Sequence, residues 1–141
     1  MGSGTERLLL FTLQGTRYAL DLKAVAEVLP PPVTFPVPWA APSLKGAMNF
    51  HGTLVAVLDL AEFMGNGTMA PNGNVLVLDR SIANLALGVD RVDAIVPVDG
   101  VLEEDQSSDT LVDRILIMAD GEVNMLAVGV ILERLEETMK R

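Results

Sequence analysis

Apolar and polar positions along this chain fall into short runs separated by turn residues, the pattern of a protein built mainly from β-strands. Leu8 to Leu13 reads as a strand, Gln14-Gly15-Thr16-Arg17 as a turn, and Tyr18 to Leu22 as the returning strand, with Tyr18, Leu20 and Leu22 on one side. Leu22, Val25, Val28 and Leu29 then recur at helical spacing. Asp21 is placed to cap that segment, and Pro30-Pro31-Pro32 stops it, so a helix of about two turns is predicted. Six of the eight prolines and the single tryptophan, Trp39, lie between Pro30 and Pro42, which makes this stretch extended and unable to donate a full ladder of hydrogen bonds. It is expected to cross the surface or form an edge strand; a proline-rich ligand for another domain is the sharper alternative.

The stretch from Gly46 to Leu60 organises the rest. Ala47-Met48-Asn49-Phe50 leads to a polar knuckle, His51-Gly52, and returns as Leu54 to Leu58, closed by Asp59-Leu60. A glycine-containing turn between two apolar runs predicts a β-hairpin. Both faces of the second arm are apolar, so it is expected to be covered on both sides. Leu60 to Met64 makes a helical turn ended by Gly65, and Asn66 to Gly73 has the composition of a loop. Val75 to Leu78, Leu85 to Val89 and Asp93 to Val98 read as strands, with Asp90-Arg91-Val92 as a link between the last two. Asp99 to Asp113, which holds Glu103-Glu104-Asp105, reads as a mobile acidic loop. Arg114 to Met118 and Val123 to Val128 form a last hairpin about Asp120-Gly121. Val130 to Lys140 is an amphipathic helix with Ile131, Leu132, Leu135 and Met139 inward, and Lys140 and Arg141 at its negative end.

Two segments echo earlier ones. Tyr18 to Val25 and Leu85 to Val92 share their apolar positions at an offset of 67 (18 to 85), and His51 to Leu54 and Asp120 to Val123 share theirs at 69 (52 to 121). The near-equal offsets predict two similar halves meeting along a seam, where partners tend to bind.

Composition narrows the classes. The 141 residues are enough for one ordinary core or two very small ones sharing an interface. Half are hydrophobic but only 4% are aromatic, so the core must come from aliphatic side chains. No apolar stretch is long enough to span a bilayer, and Met1-Gly2-Ser3-Gly4 looks like part of a flexible leader over residues 1–6 and not a signal peptide. With no cysteine, the chain is expected in the cytoplasm. A net charge of −9 argues against nucleic acid and anionic membrane as partners and also keeps an aliphatic protein soluble.

Little catalytic chemistry is on offer. A single histidine, His51, and no cysteine do not make a transition-metal site. Asp90, Asp93 and Asp99 lack calcium-loop spacing, and none of the five serines sits in a nucleophile elbow. No catalytic residue, cofactor or metal is expected.

In order along the chain, Phe11-x-Leu13, Tyr18 to Leu22 running into Val25-x-Glu27-Val28, Pro38, Gly46 to Phe50 with Gly52, Val57-Leu58-Asp59-Leu60, Gly88-Val89-Asp90-x-Val92 and the Gly121 hairpin with its helix resemble the CheW-like domain, the adaptor module of bacterial chemotaxis. The resemblance covers about residues 7 to 137 and implies one such domain over residues 7–141. It implies two SH3-like five-stranded β-barrels packed together, with short helices and a C-terminal helix, and no enzymatic activity. It further implies two partners, the cytoplasmic tip of a methyl-accepting chemoreceptor and the regulatory domain of the chemotaxis histidine kinase. Carried over residue by residue, the receptor-binding groove would comprise Val25 and Glu27, then Gly46, His51 and Gly52 from the central hairpin, and Val89 and Val92 from the second half. This chain has His51 where the family usually has arginine, Ala56 where it often has proline, and Val128-Gly129 where aspartate often precedes the last helix. The alternatives are the same fold regulating another chemosensory pathway, such as gliding or twitching motility, and a barrel that binds a small molecule.

Overall fold

The computed structural model describes residues 6–37 and 41–139. Expectations on residues 1–5, on Pro38 and Trp39, on the side chain of Met139 and on Lys140 and Arg141 lie outside the described residues.

Among the described residues, eleven strands and two α-helices follow one another. The first half of the chain supplies β1 (Arg7–Leu13), β2 (Thr16–Asp21), β3 (Val25–Leu29), β4 (Leu44–Phe50), β5 (Thr53–Asp59) and the short α1 (Leu60–Phe63). The second supplies β6 (Asn74–Leu78), β7 (Leu85–Val89), β8 (Arg91–Pro97), β9 (Val101–Asp105), β10 (Val112–Met118), β11 (Gly121–Leu126) and α2 (Val128–Met139). They form a six-stranded sheet in the order β8-β1-β2-β11-β10-β9 and a five-stranded sheet in the order β3-β6-β7-β5-β4. The expected mainly-β class is observed.

Local chemistry explains the tight turns. Gln14-Gly15 and His51-Gly52 both have positive φ at each residue (52° and 80°; 50° and 84°), as a two-residue turn matched to the strand twist requires. The carboxylate of Asp59 accepts from the Glu62 amide at 3.1 Å and caps α1.

Three expectations need correction. The helix expected from Leu22 to Leu29 is one 3₁₀ turn, Leu22–Ala24, capped by Asp21, and the remainder is strand β3. A β-bulge at Ala26 interrupts the alternation of β3, so Val25 and Val28 fall three apart and imitate a helical period. The acidic segment expected as a mobile loop holds strand β9, an edge strand paired only with β10, whose acidic residues all face solvent. And the second arm of the central hairpin is buried from Val55 to Asp59 apart from the half-buried Ala56, but Leu54 is 68% exposed.

The two sheets repeat one another in register. Leu9 pairs with Ile95 in one, and Leu76 with Val28 in the other; Phe11–Val92 answers Leu78–Val25. These equivalences all lie at an offset of 67 (9 to 76, 28 to 95). Met48–Val55 answers Leu116–Val123 at an offset of 68 (48 to 116). The irregularities repeat too: Ala26 in β3 and Asp93 in β8 are the extra residues of equivalent bulges, as are Lys45 in β4 and Asp113 in β10. By register the counterpart of Gly52 is Asp120, one residue earlier than the match of Gly52 with Gly121 seen in the sequence.

Each sheet draws on both halves of the chain. β1 and β2 sit among strands of the second half, joined to β11 by a parallel pair, and β6 and β7 sit among strands of the first, joined to β5 by another. One core cluster, which includes Leu9, Phe11, Leu58, Leu87 and Val89, lies between the sheets and takes in Leu60 of α1 and Ile131 of α2. Two smaller clusters line one face of each sheet, and they match position for position: Met48, Val55, Val75, Val77 and Ala86 in one correspond to Leu116, Val123, Leu8, Leu10 and Ala19 in the other.

Both sheets are open in their backbone pairing yet strongly curled. Edge strands β8 and β9 are separated by only Val98–Gly100. Six flat strands would hold those edges about 24 Å apart, whereas three residues reach about 10 Å. In the five-stranded sheet the proline-rich stretch takes the place of β9. Phe35 exchanges two 2.8 Å backbone hydrogen bonds with Ala47 of β4, as Asp105 pairs with the equivalent Ile115. Among the described residues that pair stands as an isolated bridge.

Candidate functional site

Edge strand β3 and the β4–β5 turn belong to opposite edges of the five-stranded sheet, and its curl brings them together. Glu27 Oε1 and His51 Nε2 lie 3.5 Å apart, both side chains largely in solvent. The imidazole leans on Phe50, ring centroids 4.4 Å apart. Beside this contact the sheet opens into a cleft of about 430 Å³. Ala26, Phe50, Val55 and Val77 give it an apolar wall, and Thr53, Asp79, Arg80 and Asn84 a polar rim. The site sits where the inner face of the sheet reaches solvent, since Val55 and Val77 belong to that face's core cluster.

The expected groove residues do not all gather there. Glu27, His51 and Gly52 do. Val25 lies two residues along β3 from Glu27, half-buried against the cluster between the sheets, and its counterpart Val92 on β8 packs against the same cluster. Val25 and Val92 therefore lie away from the cleft, at the cluster between the sheets. Val89 differs: it is fully buried, so its side chain has no surface to offer a partner. Gly46 lies under the backbone of Phe35, and an added Cβ would come within 2.4 Å of the Phe35 carbonyl oxygen. It has φ +138° and stands four residues before Phe50, about 13 Å along the strand, so its part is to let the proline-rich stretch lie close.

Sequence reading overlooked Arg80 and Asn84, which fall between the strands read at Val75 to Leu78 and Leu85 to Val89. The one available signal was a polar pair flanking Ser81-Ile82-Ala83 at the end of a buried strand. Polar contacts fix the loops at the other end of β6 and β7. Asp90 accepts from the amides of Gln14 at 2.7 Å and Ala70 at 2.8 Å, tying the first hairpin turn to the loop before β6. Thr12 Oγ1 donates to Asp93 at 2.6 Å. Among the described residues no group of three or more His, Cys, Asp or Glu could hold a metal ion, and no helix is long and apolar enough to cross a membrane.

The chain matches the family model of the CheW-like domain over residues 7–136. Among solved structures it resembles the crystal structure of the scaffolding protein TtCheW from Thermoanaerobacter tengcongensis, with a TM-score of 0.74 and 21% sequence identity over 86% of this chain and 88% of that one. No curated protein matches the sequence. At that identity the structural likeness speaks for the fold, and the family model, which spans nearly the whole chain, speaks for descent: this protein belongs to the CheW-like domain family.

Proposed function

We propose that this chain is a non-enzymatic scaffold of bacterial chemotaxis signalling. In the cytoplasm it couples the cytoplasmic tip of a methyl-accepting chemoreceptor to the regulatory domain of the chemotaxis histidine kinase. The observation that carries this reading is the CheW-like match over residues 7–136. In the same reading residues 7–141 are one domain, each curled sheet is an SH3-like barrel, and the receptor rod lies along Val25, Glu27, His51, Gly52 and Val92. Val89 and Gly46 support that surface from beneath.

Geometry agrees with such a role. An apolar cleft with polar groups at its mouth suits a helix that presents one row of side chains, and burial of that row supplies the binding energy. No cofactor, nucleic acid or membrane insertion takes part, and the charge of −9 disfavours the last two. The test is to mix the full chain with a receptor cytoplasmic fragment and a kinase regulatory domain and measure complexes by analytical ultracentrifugation. The expected result is binding to each alone and a ternary complex with both; failure to bind either would reject the proposal.

A further inference from the structure

The repeat supplies an internal comparison for the cleft. In the six-stranded sheet, the corresponding place is bridged from within: Arg17 Nη1 and Nη2 donate to Asp120 Oδ2 and Oδ1 at 3.0 and 3.1 Å, a two-point guanidinium–carboxylate pair between β2 and the β10–β11 turn. In the five-stranded sheet the counterpart of Asp120 is Gly52, which carries no side chain, and the counterpart of Arg17 is Asn84, on the cleft rim. A guanidinium is present all the same, four residues earlier, on Arg80. Arg80 is exposed and enters no ion pair among the described residues, as is also true of Arg7, Lys23 and Arg134, but of these only Arg80 lines the cleft. Its neighbour Asp79 is committed elsewhere, accepting from the Ser81 hydroxyl at 2.6 Å and the Ser81 amide at 3.0 Å.

One sheet thus closes its end with a two-point pair of its own; in the other the rim carboxylate Asp79 is held by Ser81 and Glu27 faces His51, so among the described residues Arg80 has no hydrogen-bonded carboxylate beside the open apolar cleft. We propose that the partner supplies the missing group: a helical segment that seats an apolar side chain in the cleft and sets an aspartate or glutamate, one turn away, on Arg80. This rests on the scaffold reading above and adds to it a specificity residue and the chemistry that residue recognises. A planar two-point donor distinguishes a carboxylate from a neutral side chain, so a partner lacking the acid is discriminated against at this position.

The test is isothermal titration of the full chain, and of its R80E and R80K variants, with a receptor cytoplasmic fragment. R80E is expected to weaken binding by about ten-fold or more and R80K by less. Thermal unfolding of both variants is expected to match the parent, since Arg80 is exposed. Replacing the acidic residues of the fragment's tip by lysine, one at a time, is expected to restore binding to R80E at one position. Binding of R80E within about two-fold of the parent, or no position that restores it, overturns the inference while leaving the scaffold reading intact. Failure of the unaltered chain to bind the fragment overturns both.

Discussion

Gly46 and Tyr18 show how single positions carry the fold. At Gly46 both backbone conformation and space demand glycine: φ is +138°, and a Cβ would meet the Phe35 carbonyl oxygen at 2.4 Å. Because the atom in the way is backbone, it cannot swing aside. Gly46→Ala is expected to cost about 3 kcal/mol, read as a lowered urea midpoint; a loss under about 1 kcal/mol would mean that the proline-rich stretch moves away freely. Tyr18, the only tyrosine, stacks on Phe11 with centroids 5.7 Å apart, and burial, followed by the charge of Asp109, raises the pKa of its phenol. A raised folded pKa favours the neutral form. The stability it contributes is therefore complete below about pH 10, the unfolded value, and is lost as pH rises through the folded one. Stability should fall above pH 10 together with the appearance of tyrosinate absorbance, and Tyr18→Phe should flatten that fall while leaving neutral stability little changed.

Among the elements, the two helices begin differently. α1 opens on the buried Asp59, which caps it and also accepts from the Met69 amide at 3.1 Å; the register counterpart of Asp59 is Ala127, which has no side-chain acceptor to cap α2. The first turn of α2 also contains Gly129, where an added Cβ meets nothing within 4 Å. Gly129→Ala is expected to stabilise the protein by about 0.5–1 kcal/mol, and Ala127→Asp by about 1 kcal/mol through a new cap. Calorimetry checks both; an unchanged or lower melting temperature in each would show that the start of α2 is set by packing alone.

Elements were legible in the sequence wherever alternation or turn chemistry was undisturbed. The hairpins at Gln14-Gly15 and His51-Gly52, strand β7 and the start of α1 all follow from it. Bulges at Ala26 and Asp93 hid β3 and the start of β8, because one extra residue turns a period of two into a step of three. Strand β9 was hidden by its own acids, which suit an edge with one neighbour and look like a loop. At the site, the Glu27–His51–Gly52 group was readable from the resemblance. The burial of Val89 was signalled locally too, since Leu85 to Val89 is apolar on both faces, but the resemblance drew Val89 into the groove; Arg80 was not readable, because curl alone brings it near His51.

On the scale of the whole molecule, register repeats at offsets of 67 and 68 describe two halves that exchange strands instead of standing side by side. Neither half can complete a sheet from its own strands, since β1 and β2 belong with β8, β10 and β11, and β6 and β7 with β3, β4 and β5. Cutting the chain in the exposed loop at Gly67 is therefore expected to give two pieces that show no cooperative unfolding alone and regain it when mixed. A piece ending at Gly67 that melted cooperatively alone, followed by circular dichroism, would contradict this.

The parallel pair between β2 and β11 also sets an order of events during synthesis. Strands β3 to β7 are all present once Val89 has left the ribosome, so the five-stranded sheet can assemble early. The first hairpin, made before any of them, has to wait for Leu126 before its open edge is covered. Until then Leu8, Leu10 and Ala19, buried in the folded domain, face water on a nascent chain, and the strands of this domain that emerge earliest are among the last to find shelter.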